Sequence, residues 1–583
     1  MNQPANSAEQ SNGSPWQFLD QQIQTLNAKL FSGLSPISLA MAQMDWALNL
    51  LQTPSAQMQL QADAAKNWGQ WMMKALQLKP EQEPTTAAHS DARFAHSTWQ
   101  NQPWASLVEA QHLHEQWWHQ ATQLRGMRPH SKEQMGFYAS KWLDMMSPSN
   151  WLGTNPEAME KAMHSGGLSL AKGAQHALED WWREHGHQAN NHQPTSLQAG
   201  QGLAMTPGQV VARSHLCELI QYAPTTSKVH AEPVLIIPSC IMKYYILDLS
   251  PHNSMVKWLV SQGHTVYMVS WRNPDENDAL LTMDDYVQEG VLASLTHVQQ
   301  AHREQVHLMG YCLGGTFAAI AAAKLEGEGH EDPHGLASLT LLAAETDFSE
   351  PGEMGVLIDE AQVRMLEDMM AHQGFLSGKQ MAGSFQFLHS RDLVWSNRTK
   401  RWLLGDEDVP NDLMIWNADL TRLPAVMHSQ YLRQCFLHND LANGHFSLNG
   451  DTLVLHDIEL PIFAVGTVKD HVSPWRSVYK LHHLVSGPVT FALTNGGHNA
   501  GIISEPGHHG RHYQLHTTQA HEPSLTSEEW LTQAETHEGS WWTTWSEWLL
   551  AHGSGRMVAA RKPPQDKELG AAPGQYVMVR YAD

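Results

Sequence analysis

Cysteine is scarce in this chain. Cys217, Cys240, Cys312 and Cys435 are its only four in 583 residues. They are too few and too scattered for a disulfide framework, so reduced thiols are the expectation. Long apolar runs are missing as well: no stretch approaches the roughly 18 residues of a membrane-spanning helix. Lys and Arg number 36 against 59 Asp and Glu, a formal net charge of −23. That deficit argues against nucleic-acid binding, which needs basic residues in excess. The opening "MNQPANSAEQSNGSPW" lacks the basic residues and apolar core of a secretory signal.

What is present fits a folded protein of more than one domain. The chain is 42% hydrophobic and 16% charged, unlike a disordered sequence. Histidine is abundant, at 37 residues, and three clusters raise a metal question: "HLHEQWWH", "HGHQANNHQPTS" and "HHGRH". The first lacks the i, i+4 spacing of a helical zinc site, and none has a cysteine partner. Solvated histidines are the expectation, with no metal.

Residues 1 to about 200 read as helical. "MDWALNLLQ", "AAKNWGQWMMKALQL", "SLVEAQHLHEQWWHQATQL" and "YASKWLDMM" repeat apolar residues at three- and four-residue steps. Trp68, Trp71, Trp99, Trp104, Trp117 and Trp118 read as core rather than as a contact surface. The polar stretch "HGHQANNHQPTSLQAGQG" closes the region. Beyond it, "PVLIIPS", "TVYMVSW", "QVHLMGY", "SLTLLAA", "PIFAVGT" and "VTFALTN" are short apolar runs between helical stretches. They predict a buried, mostly parallel sheet, the α/β class. Over a hundred residues separate the fourth run from the fifth, more than one crossover needs, so a cap is expected at about 350–460. The expected division is a helical N-terminal domain (1–200), a catalytic domain (201–560) and a tail (561–583). Trp541, Trp545 and Trp548 share one helical face and read as a helix packed on the domain.

The chemistry concentrates at "QVHLMGYCLGGTFAAIAAAKL", read as strand, tight turn and helix. Val306 to Met309 form the strand end, and Thr316 to Leu325 the helix. Gly310, Cys312 and Gly314 spell G-x-C-x-G, the nucleophile-elbow pattern with a thiol in place of the usual serine. The helix N-terminus beside Cys312 favours a thiolate. An elbow needs an acid and then a base in chain order. "PIFAVGTVKDHVSPW" supplies Asp470 after a strand, and "VTFALTNGGHNAG" supplies His498 after the next. In a parallel sheet both loops reach the same carboxyl edge as Cys312. His471, next to Asp470, reads as structural. The oxyanion hole is expected from the backbone N–H groups of Leu313 and Cys240. Cys240 has no elbow of its own, so a backbone role is preferred over a second nucleophile.

These residues carry a family likeness. The region from about 201 to 555 resembles the polyhydroxyalkanoate synthases, the bacterial polyester polymerases, and most of all class I. "KYYILDL", "SWRNPD", "GYCLGGT", "RDLVW", "IWNADLTRLP", "VKDHVSPW", "GGHNAG" and "GSWWTTWSEWL" carry the resemblance, with a weaker match in "DARFAHSTW" and in the final "APGQYVMVR". It implies an α/β-hydrolase fold with an inserted cap, preceded by a mostly helical domain. It also implies Cys312 as the acyl-carrying nucleophile and His498 as its base. Asp470 would orient His498 or help activate the incoming hydroxyl. The implied substrate is (R)-3-hydroxyacyl-CoA, with short chains such as 3-hydroxybutyryl, and the product a polyester plus free CoA. No cofactor is implied. The implied setting is a homodimer at the surface of cytoplasmic granules. Three positions depart from the family pattern: Ser239 and Met242 in "PSCIMK" replace proline and asparagine, and Asn499 replaces isoleucine.

A thiol suits that chemistry. Attack on an acyl-CoA exchanges one thioester for another, so the acyl group stays activated until a hydroxyl arrives. The same triad could pass the group to water, so an acyl-CoA thioesterase on the same scaffold is the second reading. A non-enzymatic granule coat using the Trp-rich helical half is the third.

Overall fold

The computed structural model describes residues 21–25, 28, 33–76, 91–185, 197–328, 335–388, 390–407 and 411–580. Most of the polar stretch expected to close the helical region lies outside the described residues. The helices before the sheet include α1 (Pro36–Gln52), α2 (Pro54–Ala75), α3 (Trp104–Ala121), α4 (Pro129–Met146), α5 (Pro156–His164) and α6 (Leu168–His185). A proline opens α1, α2, α4 and α5, where its missing N–H costs nothing. Side chains of Ser35 and Asn155 cap α1 and α5.

The tryptophans of this region divide. Trp99 is buried, stacked edge-on against Phe94, as expected of core. Trp68 is 61% exposed and departs from that expectation, because no buried residue lies on α2. Arg93 of "DARFAHSTW" is the polar centre of the region. It pairs with Asp91, Glu115 and Asp144 at 2.7, 2.9 and 3.3 Å. Asp144 also takes Arg391, at 2.7 Å, from beyond the sixth sheet strand.

Ten strands form one sheet: β1 (Gly208–Arg213), β2 (Cys217–Tyr222), β3 (Val234–Ile237), β4 (Val266–Trp271), β5 (Val306–Tyr311), β6 (Leu336–Leu342), β7 (Ile462–Thr467), β8 (Val489–Thr494), β9 (His512–Thr518) and β10 (Glu535–Glu538). Their order is β10-β9-β8-β7-β6-β5-β3-β4-β2-β1. The central six strands are parallel, and an antiparallel pair flanks each side. All six apolar runs read from the sequence are these central strands. The flanking pairs escaped the reading. β2, for example, carries Glu218 and Gln221 yet is buried throughout. Glu218 is tolerated there because Arg213 and the backbone N–H groups of Gln575 and Tyr576 saturate it.

Helix α7 (Leu313–Gly327) follows β5 and is buried on every side from Leu313 to Ala323, which is why it is alanine-rich. Between β6 and β7 the chain is mostly helical and includes α8 (Glu360–Gln373) and α9 (Asp412–Asn417). Helix α10 (Trp541–Ala551) packs on the sheet: Trp541 and Trp545 of the expected face are buried, Trp548 is half-buried, and Trp542 is buried as well. Among the described residues no helix is long and apolar enough to cross a membrane.

Four buried histidines set an acid limit on stability. Burial pushes His264 down to about 3, and His307, His428 and His482 to about 4. Unfolded histidine titrates near 6.5, so below that pH the unfolded chain binds protons that the folded one refuses. Their contribution is full above pH 6.5 and declines as pH falls toward 4. The melting temperature should drop over that window in calorimetry, and a flat profile there would contradict the assignment.

Candidate active site

Strand register builds the site. Ile237 pairs with Gly310, Tyr311 with Leu342, and Thr467 with Thr494, so the carboxyl ends of β3, β5, β6, β7 and β8 lie along one edge. The chain order reverses between β3 and β5, and the crevice at such a switch point is where α/β sheets bind ligands. Cys240, Cys312, Asp470 and His498 all lie within four residues of those strand ends.

Cys312 stands between β5 and α7 with φ +52° and ψ −129°, a conformation costly for a residue with a side chain. Its neighbours hold it there. A Cβ at Gly310 would come within 2.4 Å of the Gly315 Cα, and one at Gly314 within 2.3 Å of the Ile237 carbonyl oxygen. At Gly315 it would meet the Ala344 Cβ at 2.4 Å. The turn is therefore tighter than the sequence suggested. The strand continues to Tyr311, and the helix already begins at Leu313. Of the four cysteines, Cys312 alone is not buried.

His498 Nδ1 lies 2.8 Å from Asp470 Oδ2, which leaves Nε2 for the thiol. Asp470 is fully committed. Oδ1 accepts the N–H groups of Val472 and Ser473 at 2.9 and 2.8 Å, and Oδ2 also accepts Thr467 Oγ1 at 3.2 Å. Burial works to raise the Asp470 pKa, but His498 and these N–H groups outweigh it and hold the carboxyl below its usual range. Burial works against the imidazolium of His498. Asp470 and the Cys312 sulfur, through charge and hydrogen bonds, overcome it and keep the His498 pKa well above its ordinary value. The pair is suited to holding a proton taken from Cys312.

The remaining residues singled out in the sequence separate cleanly. His471 is outside this group: its side chain is exposed, with Nδ1 3.9 Å from Glu353. Cys240 is buried in the loop after β3, and burial, then the nearby Cys312, push its thiol pKa up, which disfavours the thiolate. Leu313 is the first residue of α7, so its N–H belongs to the unpaired first turn. Among the described residues no group of three or more His, Cys, Asp or Glu could hold a metal ion. "HGHQANNHQPTS" lies outside them but for His185.

Several contacts that fasten the site carried no sequence signal. Trp541 and Trp542 donate from Nε1 to the carbonyls of Gly501 and Ile502 at 3.1 and 2.9 Å, fastening the His498 loop from beneath. Asn499 accepts the Tyr311 hydroxyl at 2.6 Å, tying the same loop to the elbow. That bond gives the departure from isoleucine a structural role. Glu345, after β6, is buried beside Asp470 and Cys312, and its Oε1 has no partner among the described residues. Burial, then those two neighbours, raise its pKa well above the ordinary carboxylate value, which favours the protonated form.

A family model described as "Poly-beta-hydroxybutyrate polymerase (PhaC) N-terminus" matches residues 90–259. One described as "alpha/beta hydrolase fold" matches residues 233–504, and a third, "Poly-beta-hydroxybutyrate polymerase N terminal", residues 14–55. The chain is 35% identical to "Poly(3-hydroxyalkanoate) polymerase subunit PhaC" of Rhizobium meliloti, covering 86% of this chain and 81% of that protein. It is 37% identical to "Poly(3-hydroxyalkanoate) polymerase" of Methylorubrum extorquens, covering 84% and 81%. Similar solved structures include a monoacylglycerol lipase of Paleococcus ferrophilus, at 11% identity and a TM-score of 0.31, covering 49% of this chain and 96% of that one. The family model over residues 233–504 gives the fold of the sheet region as that of the α/β hydrolases.

Two substitutions test the site. Asp470→Asn should lower the pH at which His498 releases its proton, followed by NMR of the imidazole, because the charge that holds the imidazolium is gone. Glu345→Gln should preserve the melting temperature to within a few degrees, since burial beside Asp470 favours the neutral carboxyl. A large loss of stability would mean the group is ionised.

Proposed function

The chain belongs to the poly(3-hydroxyalkanoate) polymerases, and from that premise we propose that it carries each acyl unit of the growing polyester on Cys312. The substrate in this reading is (R)-3-hydroxyacyl-CoA, with short chains such as 3-hydroxybutyryl preferred. The observation that carries the reading is the strained thiol at the elbow with His498 and Asp470 behind it.

His498 takes the thiol proton, and Cys312 Sγ attacks the thioester carbonyl. The tetrahedral oxyanion is received by the N–H groups of Leu313 and Cys240. CoA leaves with the proton from His498, and the acyl group remains on Cys312 as a thioester. In the second half, the 3-hydroxyl of the next unit gives its proton to His498 and attacks the acyl carbon. The ester forms and the Cys312 thiolate is released. Asp470 acts here by orienting His498, a role supported by the hydrogen bonds that already occupy both of its oxygens.

Exclusion of water falls to the segment at 350–460. Trp416 Nε1 donates to the Lys243 carbonyl at 2.8 Å, and Thr421 Oγ1 to that of Cys240 at 2.5 Å, so the segment packs directly on the catalytic loops. We assign 1–200 to a helical domain, 201–560 to the catalytic domain and 561–583 to a tail. Location at cytoplasmic polyester granules, as a homodimer, is part of the same proposal. It is supported by a row of exposed apolar residues on α1: Ile37, Met41, Met44, Leu48 and Leu51, spaced by alternating fours and threes.

With (R)-3-hydroxybutyryl-CoA the purified chain should release CoA and retain the acyl units as polymer. CoA release with free 3-hydroxybutyrate alone would move the assignment to a thioesterase. Cys312→Ala should lower turnover by at least about a thousandfold with an unchanged circular-dichroism spectrum. Retained activity would place the nucleophile elsewhere.

A further inference from the structure

The loop that offers the Cys240 N–H is held from an unexpected direction. It runs from the end of β3 to Lys243, and most of its carbonyls are taken. Pro238 accepts Trp271 Nε1 at 2.8 Å, Cys240 accepts Thr421 Oγ1 at 2.5 Å, Ile241 accepts the Thr421 N–H at 3.2 Å, and Lys243 accepts Trp416 Nε1 at 2.8 Å. The peptide planes on both sides of the Ser239–Cys240 bond are thereby fixed. A flip of that one plane would replace a donor by a carbonyl oxygen at the oxyanion site.

At its far end the loop is anchored by the Lys243 side chain, which turns inward. Lys243 is 3% exposed, and its ammonium lies inside the protein. Its Nζ donates to the carbonyl of Val579 at 2.7 Å, with that of Tyr576 at 3.5 Å. Both acceptors belong to the C-terminal segment, which is itself sewn to the sheet edge. Ala572 donates to the Gly208 carbonyl at 3.0 Å, Gln575 and Tyr576 donate to Glu218 Oε2 at 2.9 and 3.0 Å, and the Tyr576 hydroxyl donates to the Ser214 carbonyl at 2.8 Å. Asn273 Nδ2 also reaches the Val579 carbonyl, at 3.5 Å. A donor this deeply buried must have acceptors or force the backbone to move.

We propose that Lys243 is a positioning residue for acyl transfer: gripped by the carbonyls of the C-terminal segment, it holds the loop that aims the Cys240 N–H at the oxyanion. The inference rests on the acyltransferase reading above. It makes the segment around Val579 part of the catalytic apparatus although it touches none of the reacting atoms.

Two measurements separate this role from general support of the fold. CoA release from (R)-3-hydroxybutyryl-CoA requires the oxyanion hole. Alkylation of Cys312 by iodoacetamide, read by peptide mass, requires the thiolate but develops no oxyanion. Lys243→Met should lower kcat by about a hundredfold or more, with KM and the Cys312 alkylation rate within about threefold of the unsubstituted chain. Lys243→Arg, which keeps donors for the same carbonyls, should recover much of the loss. Unchanged kcat in Lys243→Met overturns the proposal. A parallel collapse of kcat and alkylation overturns it too, because Lys243 would then serve the fold as a whole. If the unsubstituted chain releases no CoA, the acyltransferase reading itself fails and takes this inference with it.

Discussion

The backbone at Cys312 is the constraint on which the rest of the structure turns. A residue with a side chain is held at positive φ between a strand and a helix, at an energetic cost of order 1–3 kcal/mol. The cost is met by packing. Gly310, Gly314 and Gly315 let β5, α7 and the end of β3 approach until backbone touches backbone. The fully buried α7 then locks the turn from behind. Relaxing the angle would require moving the helix off the sheet, and the buried area of that contact opposes it.

Given that turn, the other groups arrive through strand register. Parallel pairing aligns the carboxyl ends of five strands, so loops far apart in sequence open onto one crevice. What then distinguishes the site is how completely its supports are bonded. Asp470 has no oxygen to spare, the His498 loop rests on two indole N–H groups, and the loop after β3 has its carbonyls occupied on both sides of Cys240. Such second contacts limit the freedom of Cys312, Asp470 and His498.

The helical region and the segment between β6 and β7 are joined by charge as well as by packing. Arg93 draws three carboxylates together, and Asp144 extends that cluster to Arg391. Arg401 pairs with Asp180 of α6 at 3.2 Å. These partly buried groups hold a defined orientation because each would be costly to leave unpaired. The packing of the α1–α6 region thus bears on the segment that packs on the loop after β3.

Much of this was legible in the sequence, for a local reason. Apolar runs of strand length, separated by helical repeats, can only be buried parallel strands, and G-x-C-x-G between a strand and a helix is a turn of one kind. The order of Cys312, Asp470 and His498, each just past a strand, then follows from the chain alone. Residues whose role depends on distant partners left no such pattern. Glu218 and Lys243 look like ordinary charged residues until the C-terminal segment is seen beside them. Glu345 looks like a surface acid but is buried. Trp542 looks like one more apolar position on α10 until its N–H is found on the Ile502 carbonyl. The sequence by itself determined the class of fold and the positions of Cys312, Asp470 and His498 just past their strands, because period and turn chemistry are local properties. Tertiary structure decided which polar groups share a buried neighbourhood, and so their charge states and supports, because burial and hydrogen-bond partners are properties of residues brought together only by folding.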